Sequence, residues 1–204
     1  MIDAAKPPVP AEATALHYLL STPFRYPPLA HGSRFATRFE RGIWYGAASR
    51  RTAFAETAFY RFLFLEGTAG DVAPLAVDLS LFRARVATAL GADLAARELE
   101  PHLGAIASKT SYDVTQRLGR AMREAGVKAF RYPSARDVRA GSCFGVLSPA
   151  AFASSRPSPP QSWYAVVRPE AVEIVKRDVF RHQAYRFPRG DFLVEGELPS
   201  PGLR

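Results

Sequence analysis

Residues 43–66 constrain the fold more than any other stretch of the chain. Ile43-Trp44-Tyr45-Gly46-Ala47 is an apolar, aromatic run that reads as a buried strand. Ser49 follows as a good N-cap, and Arg50 to Glu66 reads as a long helix. Phe54, Ala58, Phe62 and Leu65 recur on one face of that helix, so it must lie against an apolar surface. A strand leading directly into an amphipathic helix is the nucleus of a mixed fold.

Elsewhere helices and strands interleave without the regular rhythm of a doubly wound sheet. Thr14 to Leu20 reads as a short helix ending before Pro23, and Thr22 to Ala30 as an extended or turning stretch, because Pro23, Pro27 and Pro28 resist helix. Leu75–Leu79 reads as a strand, and Asp93–Leu103 as helical. Asp113–Ala125 reads as an amphipathic helix with Val114, Leu118 and Met122 on its stripe and Gly126 as its stop. Val127–Tyr132, Phe144–Leu147, Trp163–Val167 and Val172–Lys176 read as strands, with the Pro- and Ser-rich loop Ser154–Ser162 between the second and third. The expectation is an α+β protein with mixed or antiparallel sheets and flanking helices. A loose extension at residues 1–13, one domain at 14–187 and an irregular tail at 188–204 complete it.

Composition narrows the function classes. The chain has 204 residues, 48% of them apolar, which suits one domain with a real core. It has no apolar run of membrane-spanning length, and its first residues do not resemble a secretory leader. One cysteine, Cys143, allows neither an intrachain disulfide nor a zinc cluster. His17, His31, His102 and His182 have no metal-ligand spacing. These features fit a soluble cytoplasmic protein that needs no metal. The net charge of +8 invites a nucleic-acid reading, but the arginines are spread along the chain and no zinc finger or RNP motif occurs. An anionic ligand or an acidic protein partner suits the same charge.

Three residues in chain order carry possible chemistry. Arg34 lies in the Gly32-Ser33-Arg34-Phe35 turn, and an arginine can grip a phosphate with two parallel hydrogen bonds. Tyr45 can stack on a flat ring. Glu56 is a lone carboxylate among Thr52, Ala53, Phe54, Ala55, Thr57, Ala58 and Phe59. It can hold a ribose hydroxyl and offset the positive charge that develops as a glycosidic bond opens. Together they suit the binding and cleavage of NAD. No Gly-x-Gly-x-x-Gly follows a strand, so the dinucleotide would not bind in the Rossmann manner. Each residue also has a plainer reading: Arg34 as a turn arginine, Tyr45 as core packing, Glu56 as half of a buried ion pair with an arginine such as Arg34. Ser134, after Pro133 at a strand end, can bond a phosphate or ribose or simply shape a turn, and Cys143 reads as a buried apolar side chain.

Arg34 in GSRF, Tyr45 in IWYGA, Glu56 in TAFAETA and Ser134 in RYPSAR together resemble the RES domain, over about Thr22 to Pro149. Arg25 in TPFRYPP sits where that family often has an arginine. The resemblance implies a fold similar to that of ADP-ribosyltransferases. It also implies a bacterial toxin with an Xre-like antitoxin partner that covers the active site. Such toxins consume NAD by hydrolysis, by phosphorolysis or by ADP-ribosylating a protein. Arg34 would then hold the NAD phosphates or nicotinamide ribose, Tyr45 would stack on nicotinamide, Glu56 would be the catalytic carboxylate, and Ser134 and Arg25 would help to bind the dinucleotide. Tyr60 departs from the pattern where family members often carry His, as do Ser142 and Cys143 after Gly141, where an Asn is common.

Overall fold

The computed structural model describes residues 7–68, 74–178 and 183–201. Two four-stranded sheets form the body. The first contains β1 (Trp44–Ala47), β3 (Gly91–Asp93), β4 (Ala129–Pro133) and β5 (Ser142–Val146). Its order is β1-β5-β4-β3, antiparallel except for the β3–β4 pair. The second contains β2 (Leu75–Leu81), β6 (Gln161–Val167), β7 (Ala171–Lys176) and β8 (Ala184–Pro188), in the order β2-β6-β7-β8 and antiparallel throughout. The architecture is the α+β class that the sequence implies.

Helix α2 (Arg50–Glu66) joins the sheets. Ser49 caps it, accepting the Thr52 N–H at 3.1 Å. Phe54, Ala55, Ala58, Phe59 and Phe62 are buried against Trp163, Val167, Ile174 and Phe187 of the second sheet. Each of the three phenylalanines contributes roughly 1.5–3 kcal/mol by burial. Strand β6 shows why the sheet accepts this face: Trp163, Ala165 and Val167 alternate inward. The opposite side of α2 faces β1 and β5 and carries Glu56.

Several elements differ from the sequence reading, each for a local reason. Helix α1 spans Tyr18–Arg25 and runs through Pro23 rather than stopping before it. Proline cannot donate to the carbonyl four residues earlier. That carbonyl, of Leu19, instead accepts the Trp44 indole N–H at 3.2 Å. Asp93–Leu103 is the end of β3 followed by a 3-10 turn over Arg97–His102, which contains Pro101, and α3 is only Leu103–Ile106. Helix α4 (Asp113–Glu124) ends before Gly126 as expected, but its buried face is Thr115, Gly119 and Met122, and Val114 is 43% exposed. The tail, from the last residue of β8, holds a short 3-10 turn, Arg189–Phe192, and Phe192 and Leu198 are buried in the core that includes α2. Of residues 1–13, those described include a 3-10 turn at Ala11–Ala13 with Ala13 buried, and the Arg41 and Glu12 side chains pair over it. His182 lies outside the described residues.

A second core lies between the first sheet, α4 and the turn 33–36, with Phe35, Ile43, Met122, Phe130 and Tyr132 buried together. Gly119 makes that turn possible. A Cβ at Gly119 would stand 2.0 Å from the Phe35 carbonyl oxygen. Among the described residues no helix is long and apolar enough to cross a membrane.

Gly119→Ala is expected to push the 33–36 turn outward and to destabilise the fold by about 1–3 kcal/mol. Chemical denaturation measures this, and an unchanged midpoint would show that the turn yields without cost.

Candidate active site

Arg34, Tyr45 and Glu56 line one cavity of about 290 Å3. Ser33, Gly46, Ala47, Thr57, Tyr60, Tyr112, Tyr132 and Cys143 complete much of its wall. The turn, β1 and α2 thus bring together the three residues that the sequence singles out. A larger cavity of about 790 Å3 adjoins it, sharing Tyr45, Gly46, Ala47, Ala53 and Thr57 and extending past Arg50 and Leu79–Ala84. The edge strands of both sheets, β1 and β2, border that larger space.

Tyr45 fixes the arginine-bearing turn to the strand. Its hydroxyl accepts the Phe35 N–H at 3.2 Å and shares a hydrogen bond with Ser33 Oγ at 3.0 Å. Burial pushes the Tyr45 phenol up to about 12, so it stays neutral at physiological pH. Arg34 is 8% exposed. Its Nη1 donates to the Ser108 carbonyl at 2.9 Å and to the Ile106 carbonyl at 3.3 Å, and its guanidinium lies 4.8 Å from the Tyr112 ring centroid. Among the described residues it has no ion-pair partner, and it does not pair with Glu56. The plainer reading of these two side chains as a buried ion pair therefore fails.

Glu56 is half-buried and held by one oxygen. Its Oε1 accepts the Ser134 hydroxyl at 2.5 Å and the Cys143 thiol at 3.7 Å. Among the described residues no hydrogen bond is made to Oε2, so that atom can take a hydroxyl in the cavity. Ser134 stands behind the carboxylate and is not among the cavity-lining residues described. Arg25 is farther off: its Nε donates to the Pro7 carbonyl, and its guanidinium rests over Tyr26.

Other groups complete the site: Tyr60, at the position where the family pattern often has His, and Arg136 and Tyr112, which carry no clear signal in the sequence. Tyr60 is 57% exposed and reaches the cavity wall from α2, one turn after Glu56. Arg136 is buried with its guanidinium 3.5 Å from the Phe59 ring centroid, and it too lacks an ion-pair partner among the described residues. Burial lowers its pKa. Arg34 and Arg136 are buried without an ion-pair partner among the described residues, whereas Asp137 has Arg51 beside it, so the region keeps a positive field that favours an anionic ligand. The position of Tyr112, just before α4, could have been found only by knowing that this helix packs on the 33–36 turn. Among the described residues no group of three or more His, Cys, Asp and Glu side chains is placed to hold a metal.

Cys143 and Tyr45 make the site sensitive to alkali. Burial, and then the Glu56 carboxylate, raise the Cys143 thiol above its ordinary value near 9. Both groups stay neutral in the folded chain at pH values where the unfolded chain ionises. Their stabilisation is complete below about pH 9 and is lost progressively as pH rises toward about 12. Denaturation midpoints are expected to be level at pH 7–8 and to fall above about pH 9. Cys143→Ala should remove the first part of that fall, and an identical fall in the variant would show that the thiol is not its source.

A family profile described as RES domain matches residues 9–167, more than three quarters of the chain. A search of curated proteins found no match. The match covers the turn, β1, α2, β4 and β5, and so every residue of the small cavity. With the match and the shared cavity agreeing, the chain belongs to the RES-domain family.

Proposed function

We propose that the protein is an NAD-consuming toxin that cleaves the bond between nicotinamide and ribose. The observation that carries this reading is the half-held carboxylate: Glu56 lines the cavity with Arg34 and Tyr45, its Oε1 is taken by Ser134 and Cys143, and among the described residues its Oε2 has no hydrogen bond. RES domains are known from toxins of this kind, which supports the reading.

The small cavity takes nicotinamide and its ribose, with the nicotinamide against Tyr45. Its 290 Å3 is too little for a whole dinucleotide, and the adjoining 790 Å3 space receives the adenosine half. As the C1′–N bond lengthens, its electron pair leaves with nicotinamide and the ribose becomes an oxocarbenium ion. Glu56 Oε2 accepts a ribose hydroxyl and offsets that charge. Arg34, held by the Ile106 and Ser108 carbonyls, presents its remaining donors to the diphosphate or to the nicotinamide ribose. An acceptor then attacks C1′: water, phosphate or a protein side chain, each losing its proton as the new bond forms. An Xre-like antitoxin restrains the toxin by covering the cavity with an acidic or aromatic segment. Co-expression with that partner should preserve cellular NAD.

Glu56→Gln keeps the size of the side chain and removes its charge. It should lower kcat for NAD by about 10²-fold or more while leaving the melting temperature close to that of the parent. A folded variant with full activity would sink the mechanism. Arg83, an exposed cation on the wall of the larger cavity, is expected to contribute about 1 kcal/mol by pairing with the phosphate next to the adenosine. Arg83→Ala should therefore raise KM roughly fivefold with kcat unchanged, and an unaltered KM would place that half of NAD elsewhere.

A further inference from the structure

The hydrogen bond from Ser134 to Glu56 is directed by a clip that lies outside the cavity. A hydroxyl has one proton and two lone pairs. Ser134 Oγ accepts the Arg136 and Asp137 N–H groups, both at 3.1 Å, which leaves its proton for Glu56 Oε1 at 2.5 Å. The turn that carries the serine is closed on itself. Ser134 N–H donates to the Gly141 carbonyl at 2.8 Å, and Ala140 N–H to the Asp137 carbonyl at 3.0 Å, with Ala140 at φ 54°. A non-glycine residue in that region is held there by its surroundings.

Asp137 ties this turn to α2. Its carboxylate is 6% exposed. Oδ2 accepts the Thr52 hydroxyl at 2.8 Å, Oδ1 accepts the Arg139 N–H at 3.1 Å, and Arg51 Nε lies 3.5 Å from Oδ1. Thr52 is 1% exposed and stands one helical turn before Glu56 on the same helix. The junction leaves no spare room: a Cβ at Gly141 would lie 2.1 Å from Thr52 Oγ1 and 2.6 Å from Asp137 Oδ2. A buried carboxylate is a costly way to join a turn to a helix, since apolar contacts would do so at lower cost.

We propose that Asp137 and Thr52 are positioning residues: their hydrogen bond holds the Ser134 turn against α2 so that the serine proton stays on Glu56 Oε1 and Oε2 stays turned to the cavity. This rests on the reading of Glu56 as the catalytic carboxylate. A carboxylate displaced by about 1 Å in such a site loses ten- to a hundredfold in rate.

The test uses the full chain with Thr52→Val, which has the same shape without the donor, Thr52→Ser, which restores the donor, and Asp137→Asn. Thr52→Val and Asp137→Asn should each lower kcat for NAD about tenfold or more with KM within about twofold, and Thr52→Ser should restore kcat. Combined with Glu56→Gln, Thr52→Val should cause no further loss, because it acts only through that carboxylate. A crystal structure of Thr52→Val should show Ser134 and Glu56 parted. Undiminished kcat in both variants, full additivity with Glu56→Gln, or an intact Ser134–Glu56 contact in the crystal would overturn the proposal. If the parent chain consumes no NAD, the reading of the reaction fails on its own, and the crystal structure still decides whether the clip positions Glu56.

Discussion

Helix α2 has to satisfy two surfaces at once, and that demand organises the molecule. One face buries Phe54, Phe59 and Phe62 against the second sheet, and this apolar contact fixes the rotation of the helix about its axis. Rotation fixed in this way leaves Glu56 facing β1 and β5 of the first sheet, where a carboxylate without polar neighbours would be costly. The Ser134 hydroxyl and the Cys143 thiol meet it there. The helix thus carries a core on one side and a polar cavity on the other. The adjoining larger cavity is bordered by β1 and β2, the edge strands of the two sheets.

The same logic explains which parts of the structure were legible in the sequence. Helix α2 carries its own signals, a serine cap and a repeating apolar face, so its limits at Arg50 and Glu66 follow from local pattern alone. Glu56 stands out for the same reason, as a lone charge among small and apolar neighbours. Helix α1 continues past Pro23 because Trp44, twenty-five residues on from Leu19, donates its indole N–H to the Leu19 carbonyl that proline leaves unbonded, a contact no local pattern announces. On α4 the expected stripe holds at Leu118 and Met122, which pack into the second core, but not at Val114, because the neighbour the helix meets there is a backbone turn that selects Gly119. In both cases a long-range contact outweighed a local preference.

The candidate site divides in the same way. Arg34, Tyr45 and Glu56 were visible as residue types in order along the chain, and the fold brings them to one cavity. How they are held was not visible. The partners of Arg34 are two backbone carbonyls, of Ile106 and Ser108, and no side-chain pattern encodes a carbonyl. Arg136 reads as an ordinary turn residue, yet it is buried on the face of Phe59, where the aromatic ring partly replaces the water that the guanidinium loses. Of the two roles open to Ser134, ligand contact or turn residue, the hydrogen bonds show the second, with its lone pairs committed to the backbone of its own turn and its proton to Glu56.

Tyr45 links these observations. Its ring borders the cavity while its hydroxyl is tied to Ser33 and to the Phe35 N–H, the residues on either side of Arg34. The aromatic wall and the cation therefore form one unit and cannot shift independently. Gly119 brings α4 close to that unit from behind, and the Ile106 and Ser108 carbonyls hold the guanidinium from the side. On the far wall the Asp137–Thr52 contact does for Glu56 what Tyr45 does for Arg34. Each charged group is thus set by neutral or backbone partners rather than by the other, which keeps the two opposite charges apart. An arginine and a carboxylate that neutralised each other would stabilise the empty cavity; held apart, both retain their fields, which is what the proposed NAD substrate would require, anionic at its diphosphate and cationic at its ribose as the bond opens.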